Sequence, residues 1–328
     1  MAIARTSRHQ GKPVPELNPQ MAQILALIEE GMKDRPVRTT LTAVEARAQT
    51  SATFEAFWNA DRPTLWAVYN HEIPGPRASL RVRLYDPGVT RPAPCLVYIH
   101  GGGWVICSLD THDGVCRRLA LAGDFLVASV DYRLAPEHKF PAGLEDCIAA
   151  VRGLAEHGGE WGIDSRRLAI GGDSAGANLA LAALLSLRDA GGSPVQAGAL
   201  IYGAYSADTD TSSHKAYGDG SYILSQDDMR WFWDHYVRGE ADKRNPLAAP
   251  LLADLAGLPP LLVTAAEFDP LLDDSTRLVA RLKEAGVEHD YVLWPGVTHA
   301  CLHMTRMLDA ADGHINDVAG WLSKQLSA

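Results

Sequence analysis

The 328-residue chain predicts an α/β fold, one mostly parallel sheet of eight strands flanked by helices, with a helical cap. Three observations carry that prediction. From about residue 64 onward, short apolar runs rich in Val, Ile and Tyr alternate with stretches whose apolar positions recur at helical spacing. The stretch LAIGGDSAGANLALAALLSL at 168–187 reads as a strand, a glycine-flanked turn and a buried helix. A membrane span would need about 20 uncharged apolar residues, and Gly171, Gly172, Asp173 and Ser174 interrupt that run near its start.

In chain order, helices are expected over 19–31 and 42–58, behind a Pro-rich start. Strands at 65–73 and 80–85, joined across IPGPRAS, form an antiparallel hairpin. Further strands are expected at 95–99, 125–130, 167–170, 197–202, 261–265 and 289–294. Helices at 114–122, 142–157, 175–189, 275–285 and 304–326 alternate with them. The segment 206–250 leaves the alternation, with polar SADTDTSSHKAYGDG followed by aromatic SQDDMRWFWDHYV. An insertion of that length in a compact domain is more often a lid or binding element than idle loop. Residues 1–60 and 206–250 are therefore expected to pack together as a cap on a body spanning 61–328.

Thirty Lys and Arg against 40 Asp and Glu give a formal charge of -10, and no basic run interleaves with aromatics, which excludes an electrostatic footprint for nucleic acid. The start, MAIARTSRHQGKPVPEL, lacks the unbroken apolar stretch and small-residue cleavage site of a signal peptide. Cys95, Cys107, Cys116, Cys147 and Cys301 are scattered without a C-x-x-C pair, as free thiols of a reducing compartment would be. A cytoplasmic location is expected.

Gly172-Asp173-Ser174-Ala175-Gly176, between strand and helix, is the G-x-S-x-G pattern of a nucleophile elbow. The turn strains the serine backbone, and small residues two before and two after let strand and helix approach. The hydroxyl then stands above the carboxyl edge of the sheet, at a helix N-terminus that favours a developing oxyanion. His100-Gly101-Gly102-Gly103-Trp104 follows the apolar run CLVYI, where a loop can turn backbone N–H groups toward the same place. Gly101, Gly102 and the amide of Ala175 are the expected oxyanion donors. Neither glycine run continues as G-K-[ST] or fits G-x-G-x-x-G, so a phosphate loop is not supported.

A serine hydroxyl needs a base, and the base needs an orienting acid; behind a nucleophile elbow the chain order is serine, acid, histidine. The strand at 261–265 leads into AEFDPLLDD and puts Asp269 at the carboxyl edge, and the next strand ends in PGVTH and delivers His299. Glu267 and Asp273 remain open as the acid on pattern alone, although Asp273 and Asp274 also suit a helix N-terminus. His289 begins a strand at the opposite edge, His214 and His235 fall in the insertion, and His303 and His314 read as helix-surface or packing residues. His299 and His303 lie four apart, as two metal ligands on a helix would, but the Glu of H-E-x-x-H and a third ligand are missing, so neither metal nor cofactor is expected.

HGGGW at 100–104, SLDTHD at 108–113, DYRLAPEHKFPA at 131–142, GDSAGANLALA at 172–182, AEFDPLLDDS at 266–275 and PGVTHACLHMTRM at 295–307 together resemble the hormone-sensitive-lipase-like serine esterases. The resemblance runs from about Cys95 to the C-terminus. It implies an α/β-hydrolase fold, a helical cap partly built from the N-terminus, and a triad of Ser174, Asp269 and His299. It also implies an oxyanion hole at the first two glycines of HGGG and the residue after the serine, and esters with short acyl chains, acetyl to about hexanoyl, as substrates. Asp131 and Arg133 are expected to brace loops. Ala177 and Ala300-Cys301 depart from the usual family residues, Gly and Phe or Gly-Phe.

Trp104 is the candidate substrate-binding side chain, while Trp231, Trp233 and Tyr236 fit a pocket wall or packing equally. The expectation is a serine carboxylesterase working on a small-molecule ester through an acyl-enzyme. The same triad would serve an amide, carbamate or lactone, and a non-catalytic receptor of this fold would typically lack a triad member. Composition favours neither a monomer nor a homodimer.

Overall fold

The computed structural model describes residues 15–327; the extreme N-terminus, including most of the stretch read for a leader, lies outside them. Eight strands form one sheet: β1 Ala67–Pro74, β2 Ser79–Asp86, β3 Ala93–Ile99, β4 Leu126–Val130, β5 Ile163–Asp173, β6 Val195–Ile201, β7 Leu261–Phe268 and β8 His289–Thr298. Their spatial order is β1-β2-β4-β3-β5-β6-β7-β8. The hairpin β1–β2 is antiparallel, β2 meets β4 antiparallel, and every pairing from β4 to β8 is parallel.

Several strands outrun their apolar runs, β5 and β8 by the most. β5 begins four residues early because Asp164 is neutralised by Arg166 and Arg167 at 3.2 and 2.9 Å, so its polar start can join the sheet. It also runs on through Asp173, with Gly172 paired to Ile99 and Leu200. β8 continues past Trp294 because it has a strand on one side only, where Pro295 costs no ladder bond, and Thr298 still pairs with Phe268.

Helices cover both faces. On one lie α1 Pro19–Met32, α3 Asp113–Gly123 and α10 Asp309–Leu326, around a core that includes Met21, Tyr98, Leu119, Trp294 and Ile315. On the other lie α4 Ala142–His157, α5 Ala175–Asp189 and α9 Leu272–Glu284, around Val97, Val151, Leu181 and Leu278. The helix expected over 304–326 starts only at Asp309. Ala300 is left-handed and Cys301–His303 form a 3₁₀ turn, so the chain reaches the helix through a buried corner.

The N-terminal segment divides. α1, capped by Asn18, docks on the body through Asn18 N–H to Gly296 O at 2.8 Å and paired bonds between Gln20 and Asp309. The helix expected over 42–58 is α2 Ala43–Thr53, opened by a Thr42/Glu45 capping box and extended by a π-helical turn, Phe54–Trp58. Arg47 on α2 bonds Val105 O, Ala135 O and the Glu137 carboxylate. The insertion holds α6 Ser212–Tyr217, α7 Gln226–Tyr236 and α8 Glu240–Lys243. Its tie to the N-terminal segment is Arg38, which pairs with Asp228 at 3.1 Å and lies over the Phe232 ring at 5.4 Å. Among the described residues no helix is long and apolar enough to cross a membrane.

Candidate active site

The turn between β5 and α5 holds Ser174 at φ 54°, ψ -120°, a conformation costing on the order of 1–3 kcal/mol for a residue with a side chain. Its surroundings fix it there. A Cβ on Gly172 or on Gly176 would collide with the carbonyl oxygen of Ile99, so only glycine lets strand and helix close on β3. The Ser174 N–H donates to Ile201 O at 2.8 Å.

The turn brings Ser174 to His299 and Asp269, which leave the carboxyl ends of β8 and β7. His299 Nε2 is 2.9 Å from Ser174 Oγ, and His299 Nδ1 is 2.7 Å from Asp269 Oδ2. An ionised carboxylate only accepts, which assigns the imidazole proton to Nδ1 and leaves Nε2 to accept from the serine hydroxyl. Asp269 is fully buried, and its other oxygen accepts the Leu271 N–H at 2.8 Å. The neighbouring acids are occupied elsewhere: Glu267 accepts from Gly296 N–H and Asp273 from Ser213 N–H.

The glycine loop differs from expectation by one residue. The Gly101 N–H donates to Asp173 Oδ1 at 3.1 Å, so it points into the protein and is not available as an oxyanion donor. The cause is the buried carboxylate, which requires donors and packs so closely that a Cβ on Gly101 would strike it. Gly102 and Gly103, both at positive φ, line the cavity in front of Ser174 together with Ala175. Their three N–H groups meet no acceptor among the described residues.

That cavity measures about 140 Å³. Arg38, Thr50 and Phe54 contribute to it from the N-terminal segment, and Ile223, Leu224, Met229 and Phe232 from the insertion. Trp104 also borders it, but the ring is buried and stacked on Tyr236, with centroids 4.2 Å apart and planes within 6°. Trp231, Trp233 and Tyr236 are not among the lining residues, so that aromatic set packs the insertion and Phe232 is the ring of α7 that meets the cavity. Arg38, Phe54, Met229 and Phe232 were not singled out in the sequence; the spacing of Met229 and Phe232 on α7 was the available signal.

Asp173 anchors a buried polar cluster behind the loop. Tyr98 O–H donates to its Oδ1 at 2.7 Å, and His112 Nε2 lies 3.2 Å from Oδ1 and 3.3 Å from Oδ2. Burial alone would push this carboxyl up, but the His112 charge and hydrogen bond, with His303, outweigh it and hold it well below the usual range. Burial pushes the His100 imidazole down to about 3, helped by the neighbouring His112. His303, read as a packing or surface residue, is buried, borders the cavity, and turns to Asp173 and not to His299. One ligand atom from each of His112, Asp173 and His303 lies within 4.8 Å of the other two, which makes these, among the described residues, the cluster able to hold a metal ion.

Elsewhere Arg133 bonds Asp146 and Ala142 O and braces its loop as expected. Ala177 is buried in α5, and Cys301 is buried with its sulfur 3.8 Å from His314 Nδ1. Ala300, not Cys301, borders the cavity.

Residues 96–303 match the model of a family described as having the α/β-hydrolase fold. An acetyl esterase of Salmonella choleraesuis is 34% identical over 282 residues, which is 84% of this chain and 85% of the relative. An ester hydrolase from the Lake Arreo metagenome, solved with a bipyridine phosphonate derivative, superposes with a TM-score of 0.90 at 37% identity, covering 95% of this chain and 100% of the other. A hyperthermophilic esterase of the archaeon Pyrobaculum calidifontis gives a TM-score of 0.91 at 36% identity over the same shares. With a serine, a histidine and an aspartate in one relay at the carboxyl edge of such a sheet, the chain belongs to the α/β-hydrolase family, in its hormone-sensitive-lipase-like branch, and is a carboxylic-ester hydrolase.

Proposed function

We propose that the enzyme hydrolyses esters of short acyl chains, acetyl to about hexanoyl, through an acyl-enzyme on Ser174. The observation that carries this reading is the relay Asp269–His299–Ser174, closed by contacts of 2.7 and 2.9 Å. Ser174 Oγ attacks the ester carbonyl while His299 Nε2 takes its proton, and the same nitrogen then protonates the departing alcohol. Asp269 holds the imidazole with its proton on Nδ1 and stabilises the imidazolium as it forms. A water, deprotonated by His299, attacks the acyl carbonyl; Ser174 leaves with the proton and the free acid departs.

The oxyanion of each tetrahedral intermediate is received by the amides of Gly102, Gly103 and Ala175, which meet no acceptor among the described residues, the last of them at the N-terminus of α5. Cavity size supports the short chain. At about 140 Å³ it falls below the ~300–1,000 Å³ of sites that enclose drug-sized ligands. Residues 38–58 and 206–250 act together as the cap that walls it.

The test is labelling with an active-site phosphonate followed by peptide mapping, with a series of p-nitrophenyl esters run on the wild type and Ser174→Ala. The label is expected on Ser174, and the fastest turnover among chains up to hexanoyl. Label on another residue, or undiminished turnover in Ser174→Ala, overturns the mechanism; a best rate with long chains overturns the acyl preference.

A further inference from the structure

The same cavity is bordered by a second set of ionisable side chains that ester hydrolysis does not use chemically. His112, Asp173 and His303 come from three separate parts of the chain and are all buried. His112 Nε2 lies 3.3 Å and His303 Nε2 3.9 Å from Asp173 Oδ2. The His303 ring makes no hydrogen bond within 3.5 Å among the described residues, and 3.9 Å is beyond that reach. It is, however, a span that one ion can bridge, since Zn²⁺ binds nitrogen and oxygen ligands at about 2.0–2.2 Å each.

The remaining polar atoms of the cluster are held from behind. Tyr98 O–H and Gly101 N–H both donate to Asp173 Oδ1, at 2.7 and 3.1 Å, and Thr111 Oγ1 is 3.0 Å from His112 Nδ1. Outer-shell bonds of this kind orient ligands in metal sites. Asp173 Oδ2 and the two Nε2 atoms converge in front of these bonds, with the Gly101 N–H also reaching His112 Nε2 at 3.3 Å. All three residues border the cavity, which gives an ion and its water a way in.

We propose that His112, Asp173 and His303 form a site for one divalent transition-metal ion, Zn²⁺ in the first instance, whose occupation inhibits ester hydrolysis. Two imidazoles and a carboxylate with an open fourth position match the donor chemistry of Zn²⁺ and disfavour Mg²⁺ and Ca²⁺, which take oxygen ligands. An ion in that position shares a cavity of about 140 Å³ with the Ser174 hydroxyl, so the ion and its water compete with substrate for space. Inhibition is therefore expected mainly in KM.

The test uses the full chain freed of metal by chelation. Zn²⁺ and Co²⁺ are titrated calorimetrically, Co²⁺ binding is followed by visible absorption, and Zn²⁺ inhibition is measured on wild type, His303→Gln and His112→Gln, each relative to its own metal-free rate. One ion per chain is expected, with a Co²⁺ spectrum of nitrogen and oxygen ligation. Loss of an outer-shell partner already costs about 10–100-fold in affinity, so loss of the His303 ligand raises the dissociation and inhibition constants at least about ten-fold. Absence of saturable binding overturns the site, as does a Co²⁺ spectrum with thiolate bands from Cys107 or an inhibition constant unchanged in His303→Gln. Should both variants misfold, the wild-type stoichiometry and spectrum decide. Calorimetry and absorption need no substrate, so they stand or fall separately from the esterase mechanism.

Discussion

The Gly101 amide donates to the carboxylate of Asp173 at 3.1 Å, which ties the glycine loop to the residue immediately before Ser174. Because Tyr98 bonds the same oxygen, an amide side chain can keep both contacts. Asp173→Asn is expected to retain most of kcat. Asp173→Ala frees the loop and lowers kcat by about 10²-fold, the scale of losing one oxyanion donor. Steady-state kinetics of both variants check this, and equal losses would mean that the charge and not the anchoring matters.

Asp269→Asn presents an N–H to His299 Nδ1 and favours the tautomer with the proton on Nε2, which cannot accept from Ser174. A drop in kcat of about 10⁴-fold is expected, on the precedent of a serine-protease triad, with the fold intact by thermal melting. A loss smaller than about ten-fold would remove Asp269 from its assigned role.

Phe232 comes from the insertion and its ring lies against Gly103, where any Cβ would strike it. Phe232→Ala should therefore open the cavity toward longer chains. The ratio of kcat/KM for octanoyl over butanoyl esters is expected to rise about ten-fold, the lower end of what a methylene group is worth in an apolar pocket. An unchanged ratio would place the acyl chain elsewhere.

Asp274 gives the pH prediction for stability. Burial pushes its carboxyl up to about 7, against two backbone N–H bonds from Tyr205 and Ser206 that pull the other way. The unfolded carboxyl titrates near 3.9. Between these values the folded chain holds a proton that the unfolded chain has lost, so this residue makes stability fall as pH rises from about 4 to about 7. Asp274→Asn keeps the accepting oxygen and removes the titration. Its melting temperature relative to wild type should climb steadily from pH 5 to pH 7.5; a difference independent of pH would refute the assignment.

The strained turn at Ser174 and its hydrogen-bonded contact with His299 and Asp269 were legible because each rests on local chemistry: glycines where Ile99 allows no Cβ, and Asp269 and His299 on loops that leave the carboxyl ends of strands. The pairing of the glycine amides was not. Which amide of HGGG faces outward depends on Asp173, 72 residues further along the chain, claiming the first one. His303 does pack, as expected, but against Phe54 and His112, which are distant in sequence, so its neighbours could not be read locally. In the insertion, helical spacing indicated an aromatic helix, but which ring met the cavity was settled by Trp104 stacking on Tyr236 and leaving Phe232 to face it.

Ser174, His299 and Asp269 sit on loops at the sheet's carboxyl edge, whereas Arg38, Phe54, Ile223, Met229 and Phe232 belong to segments that the sheet does not need. The two kinds of residue can thus accumulate mutations at different rates. Variation at those five positions is expected to change which esters are admitted while Ser174, His299 and Asp269 stay in place. A library confined to them is the economical starting point for turning this scaffold into a catalyst for a chosen acyl group.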